Sequence, residues 1–161
     1  MIEFKPLTDY QPGQIQELIK KCYSELFDYS PNEKNRLYRQ WENEDNLAYK
    51  NINTIGRNIL FSCIENNTIG YFSWDNRQFP NGIVGQNCIL PNYRGHGYGT
   101  RQIEKIIEIF KIENFKTLTV KTGEHQFFIP AQKIYEKCGF KIKEKRKGEI
   151  FNIIEYILEL N

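Results

Sequence analysis

The chain has 161 residues and a mass of 19.2 kDa, which suits one domain and is short for two. Its 40% hydrophobic, 14% aromatic and 26% charged residues are ordinary for a globular protein with a real core, and they exclude a disordered chain, a collagen-like chain and a membrane bundle. The 22 basic and 20 acidic residues leave a net charge of +2, without the basic excess typical of a domain that lives on nucleic acid.

No apolar run reaches spanning length, and Met1-Ile2-Glu3-Phe4-Lys5 has no signal-peptide layout. A cytoplasmic protein is expected, with no membrane and no nucleic-acid partner. Cys22, Cys63, Cys88 and Cys138 are scattered and form no CxxC, and His96 and His125 are the only histidines. No metal-ligand spacing is present, so no metal is expected.

Residues 2–5 alternate like a strand. Pro12-Gly13 opens a helical stretch in which Ile15, Leu18, Ile19, Cys22 and Leu26 share a face, until Ser30-Pro31 interrupts it. A second helix is predicted over about 32–48. Ile59–Ile64 reads as a buried strand, Glu65-Asn66-Asn67-Thr68 as a hairpin turn, and Ile69–Trp74 as the returning strand. Pro80-Asn81-Gly82 marks a further turn before a strand over Ile83–Leu90.

The pattern then changes. Ile103, Ile106, Ile107 and Phe110 recur at helical spacing, and Thr117–Lys121 is a short strand after them. Strand, helix and strand in succession predict a parallel crossover. Pro130 suits the first turn of another helix, whose face is Ala131, Ile134, Tyr135 and Cys138, with Gly139 as a left-handed C-cap. Phe140–Lys145 and Glu149–Leu160 read as two last strands paired around Lys147-Gly148. Lys141, Lys143, Lys145, Arg146 and Lys147 read as a solvated strand edge. The fold class is α/β (α+β), a mixed central sheet flanked by helices.

The segment Arg94-Gly95-His96-Gly97-Tyr98-Gly99-Thr100 lies between a strand and a helix. Closely spaced glycines let several N–H groups point into one concavity, and the helix start adds unpaired N–H groups and the positive end of its dipole. A phosphate or pyrophosphate is a natural guest, although a tight turn alone also explains such glycines. No Gly-Lys-Ser/Thr follows, so this is no Walker A loop, and the glycine spacing does not fit a dinucleotide fingerprint.

The string from Leu90 to Gly99 resembles motif A of the GNAT acetyltransferase superfamily, Arg/Gln-x-x-Gly-x-Gly/Ala, with Arg94, Gly97 and Gly99 in its fixed places. Ala131 to Phe140 resembles motif B, A-x-x-h-Y-x-x-x-G-F. The motifs lie between Ile83 and Phe140, and the element order fits over most of the chain.

The resemblance implies a GNAT-type acyl-CoA N-acyltransferase fold, with residues 1–161 as a single N-acetyltransferase domain. Acetyl-CoA would be the co-substrate, its pyrophosphate on the amides of Arg94, Gly95, His96, Gly97, Tyr98, Gly99 and Thr100. Its pantetheine arm would pair with backbone near Cys88 and Ile89, in a gap between the strands ending near Leu90 and Lys121. Tyr135, at the motif B tyrosine, would protonate the leaving thiolate; on its helix face alone, shared with Ala131 and Ile134, it reads as core.

Glu124 and His125, just past a strand, are the candidate bases, and each also suits an exposed loop; Asp75 is a weaker candidate. His96 stands at a variable position and is read as solvent-facing. Phe128 stands where many members carry Asn, and it reads as a pocket wall or as core. Tyr23, Phe27, Tyr29, Tyr38 and Trp41, with carboxylates between them, lie where the family shapes its acceptor pocket.

The expected activity is transfer of acetyl from acetyl-CoA to a primary amine, on a small molecule or a peptide, by direct attack in a ternary complex. Two rivals use the same residues: a non-catalytic acyl-CoA-binding sensor or scaffold, and a nucleotide-binding domain. Homodimers are common in the family, and the last strand pair offers an edge for one.

Overall fold

The computed structural model describes residues 1–161. The elements run β1 (Ile2–Pro6), α1 (Gln14–Cys22), α2 (Leu26–Tyr29), α3 (Lys34–Lys50), β2 (Ile59–Ile64), β3 (Asn67–Asp75), β4 (Asn81–Ile89), α4 (Tyr98–Ile112), β5 (Thr117–Gly123), α5 (Ile129–Lys137), β6 (Lys141–Arg146) and β7 (Ile153–Glu159). The strands form one seven-stranded sheet in the order β1-β2-β3-β4-β5-β7-β6, with β4 and β5 parallel. The mixed sheet with flanking helices is the expected fold class. No helix is long and apolar enough to cross a membrane.

Two compact units divide the chain. The first comprises Met1–Ser73 and Gln86–Tyr98. In it β1, β2 and β3 form an antiparallel ladder. The hairpin tip is Glu65-Asn66, both left-handed at φ 47° and 68°, as a two-residue turn between right-twisted strands requires. Ile15, Leu18, Ile19 and Cys22 bury one face of α1 against Trp41 and Ala48 of α3 and against Phe61 and Tyr71 of the sheet.

The first helix ends sooner than its apolar spacing predicts. Ser24 Oγ donates to the Lys21 carbonyl at 3.1 Å, which offers the backbone an exit from the helix, and Leu26 belongs to the separate α2. The start of α1 has an unusual cap. Gly13 stands at φ 98° and brings no side chain, so the fully buried Asp45 of α3 serves instead. Its two oxygens accept the Gly13 N–H at 2.8 Å and the Gln16 N–H at 3.1 Å. Bonds to a charged group of this kind contribute roughly 1.5–3 kcal/mol each.

The second unit comprises Trp74–Gly85 and Gly99–Asn161. Ile103, Ile106 and Phe110 line the buried stripe of α4. Phe110 packs flat enough on β4 that a Cβ at Gly82 would stand 2.5 Å from its ring. Gly139 at φ 95° closes α5, with Phe140 N–H bonded to Tyr135 O and Gly139 N–H to Glu136 O, a Schellman end.

Strand β7 begins later than predicted. Residues 147–152 are a loop, and Glu149 is not in a strand. That loop folds on itself at Gly148, where a Cβ would overlap the Phe151 carbonyl oxygen. All six residues of β6 are exposed at the edge of the sheet.

Candidate functional site

The parallel ladder between β4 and β5 is short. It pairs Asn81 with Thr117, Gly82 with Leu118 and Ile83 with Thr119, and then stops, although β4 runs on to Ile89 and β5 to Gly123. The carboxyl ends of parallel strands are where open α/β sheets take ligands.

Behind β4, one turn of 3-10 helix over Pro91–Tyr93 leads into the glycine segment. Gly95 and Gly97 adopt φ 81° and 83°, and a Cβ at either would meet nothing within 4 Å. Glycine is needed there for backbone conformation rather than packing, and open space lies beside both residues. Tyr98, Gly99 and Thr100 form the first turn of α4, whose N–H groups have no helical partner. A loop of this shape fits a pyrophosphate. His96 is exposed, stacks on Tyr98 at 5.7 Å between centroids, and places Nδ1 3.2 Å from the Tyr93 carbonyl.

The Arg94 side chain turns away from its glycine neighbours. Its Nε donates to the Ile89 carbonyl at 3.0 Å, one Nη donates to the Cys22 carbonyl, and the other lies 3.7 Å from Glu25. It therefore ties the loop to β4 and to the end of α1. Arg94→Met is expected to cost about 1–3 kcal/mol through the lost charge-assisted bonds. Denaturant unfolding reads this as a lower midpoint at unchanged slope. An unchanged midpoint would show that the guanidinium serves a ligand instead.

Cys88 and Ile89, at the end of β4, are both buried. Burial and the neighbouring Cys22 thiol push the Cys88 thiol well above its ordinary pKa, so it is a neutral wall and no nucleophile. Tyr71 is fully buried, and burial first, then Cys88, Glu44, Tyr23 and Cys22, pushes its phenol up. The aromatic side chains of the first helices pack mainly on one another. Tyr23 stacks on Trp41 at 5.6 Å, and Phe27 and Tyr38 lie within about 6 Å of Trp41. Tyr29 alone of the set is exposed, at 50%.

In the second unit, Tyr135 is 3% exposed, with Phe140 and Tyr156 at 6.0 and 5.7 Å. Glu124 and His125 directly follow β5. Glu124 Oε2 is 3.2 Å from Lys145 Nζ, and the Glu124 N–H donates to the Asn152 carbonyl at 2.6 Å. His125 Nδ1 accepts the Phe127 N–H at 3.1 Å. The neutral ring thus carries its proton on Nε2 and presents a donor there.

Phe128 packs against Gly123, where a Cβ would stand 2.5 Å from its ring, and lies 5.5 Å from Phe151. It closes the end of β5 where the family Asn is missing, and Gln132 Nε2 donates to the Gly123 carbonyl at 3.0 Å. Asp75 is forked onto Arg77 at 2.6 and 2.9 Å, and those hydrogen bonds hold its carboxyl below the usual range, which makes it a poor base.

A cleft of about 610 Å³ opens on the same unit, walled by Asn81, Ile83, Thr119, Lys121, Lys143 and Glu155 among others. Register explains its lining. Leu118 and Val120 of β5 point to the buried face, so Thr119 and Lys121 point to the other, beside their β7 partners Ile157 and Glu155. Sequence reasoning missed these residues. Alternation marks Lys121 and Glu155 as outward, but nothing local says that outward means into a cleft.

The comparisons agree with this architecture. No curated protein matches the chain in sequence. A GNAT-family protein from Desulfovibrio desulfuricans superposes with a TM-score of 0.76 at 14% identity over 100% of both chains. An Elizabethkingia anophelis GNAT acetyltransferase solved with acetyl-CoA bound gives 0.60 at 18% identity over 71% of this chain and 82% of its own. A Bacillus subtilis acetyltransferase in complex with CoA gives 0.60 at 15% identity over 72% and 84%. Each of these likenesses is one of fold. The acetyltransferase (GNAT) family profile matches residues 14–140, most of the sequence, and so the chain belongs to the GNAT acetyltransferase family.

Proposed function

We propose that the protein, as one domain over residues 1–161, is an N-acetyltransferase that moves the acetyl group of acetyl-CoA onto a primary amine. The observation that carries this reading is the short β4–β5 ladder with an open glycine loop behind β4. The backbone amides from Arg94 to Thr100 would hold the pyrophosphate, where several N–H groups and the α4 dipole act together. The end of β4 near Cys88 and Ile89 would take the pantetheine arm by strand-like bonds.

The neutral amine attacks the thioester carbonyl. A C–N bond forms, the C–S bond breaks, the amine proton leaves to a base, and the CoA thiolate takes a proton from the Tyr135 phenol. Glu124 suits the base role better than His125. A carboxylate accepts a proton directly, whereas the His125 Nδ1 lone pair is already engaged by Phe127 N–H. The reaction runs in a ternary complex with no covalent enzyme intermediate.

Calorimetric titration with acetyl-CoA and with ATP tests the reading, followed by a free-thiol assay with amines. Binding of acetyl-CoA but not ATP, with amine-dependent thiol release, is the expected outcome. Tight acetyl-CoA binding with no turnover for any amine would favour a sensor. Failure to bind acetyl-CoA would remove the reading.

A further inference from the structure

The cleft along the β4–β5 ladder has a chemistry of its own. Its volume, about 610 Å³, is that of a small-molecule site. It runs along the whole ladder, from Asn81 and Thr117 at its start to Ile83 and Thr119 at its end, and on to Gly85 and Lys121 beyond it. Two ammonium groups, Lys121 and Lys143, line it, with one carboxylate, Glu155.

That carboxylate is already spent. Glu155 is 8% exposed, its Oε2 is 3.3 Å from Lys143 Nζ, and its Oε1 is 3.4 Å from Arg146. Arg146 also reaches Glu144 at 2.8 Å. Lys121, the register partner of Glu155 on β5, is exposed and is engaged by no ion pair. Glu155 thus works as a fixed post that holds Lys143 at the cleft, whose lining carries two positive side chains and one negative. Gln78 and Asn81 add side-chain amides to the wall, and Ile83 and Ile157 supply an apolar strip for a short carbon chain.

We propose that this cleft is the acceptor subsite for a small amine that also bears a carboxylate, with Lys121 and Lys143 holding the carboxylate. The inference rests on the acetyl-transfer reading and names its substrate class, an amino-acid-sized molecule. A diamine is disfavoured, since its second ammonium would meet two cations and a carboxylate with both oxygens occupied.

The test compares thiol release from acetyl-CoA for the common amino acids, their carboxamides, and the diamines putrescine and cadaverine. At least one amino acid is expected to be used with a KM roughly tenfold or more below that of its carboxamide. Lys121→Met should raise KM for that amino acid by roughly tenfold at similar kcat and leave the carboxamide unaffected, and Lys121→Arg should restore it. Lys111→Met, on the exposed face of α4, is the control.

Equal or better use of carboxamides or diamines overturns the proposal, as does indifference of the amino acid KM to Lys121→Met. In those cases turnover itself leaves the acetyl-transfer reading standing. If acetyl-CoA does not bind, that reading fails by itself, and the same amino acids and carboxamides are titrated into the protein alone. Carboxylate-dependent binding that Lys121→Met abolishes then sustains the subsite; its absence overturns it.

Discussion

Replacing Tyr135 by Phe is expected to lower kcat by about 10²–10⁴-fold while the acetyl-CoA affinity stays within about twofold. The size follows from what is removed. The ring remains, so its packing on Phe140 and Tyr156 remains. Only the phenol hydroxyl is lost, and a thiolate leaving a shielded site then has no positioned donor. Side chains at 3% exposure are screened from water, which would otherwise supply the proton at little cost. Calorimetry and single-turnover thiol release separate the two quantities. A fall in kcat of less than about threefold would reduce Tyr135 to a packing residue. A fall in affinity equal to that in kcat would place its role in binding.

The second large effect is on stability. Gly70 lies on β3, fully enclosed, and a Cβ built there would overlap the Cys88 carbonyl oxygen and stand 3.0 Å from the Ile89 side chain. Backbone cannot step aside as a side-chain tip can. Gly70→Ala is therefore expected to cost about 3 kcal/mol or more, at the upper end of overpacking effects. For a chain of this size that lowers Tm by roughly 6–12 °C. Because the strain falls on Cys88 and Ile89, acetyl-CoA affinity should fall with it. Gly97→Ala offers a contrast. Space is open there, so the strain is confined to a left-handed φ of 83°. A Gly70→Ala protein as stable as the parent would show that β3 and β4 do not approach so closely.

The same contrast separates what was legible in the sequence from what was not. The helix faces of α1 and α4, the Glu65-Asn66 turn and the Gly139 cap rest on neighbours within a few residues, so spacing and turn chemistry reveal them. The glycine loop before α4 is local in the same sense, and its two left-handed residues are glycines. The break after Cys22 and the late start of β7 were misread. In each case a local competitor, Ser24 on a carbonyl or a loop folded at Gly148, overrides an apolar pattern.

Roles that depend on distant partners were not legible. Arg94 reads as the first residue of a phosphate loop, yet its guanidinium reaches Cys22, 72 residues earlier. Asp45 reads as one carboxylate among several on the first helices, yet it is wholly buried and bonds the N-cap residue Gly13, 32 residues before it. The cleft is the clearest instance. Lys121, Lys143 and Glu155 come from three strands, and their meeting depends on the register of β5, β7 and β6. The sequence by itself determined the order of elements, the loop and the family. Tertiary structure alone decided which charges face each other, because strand register and burial are set by the whole core and not by the residues that carry the charge.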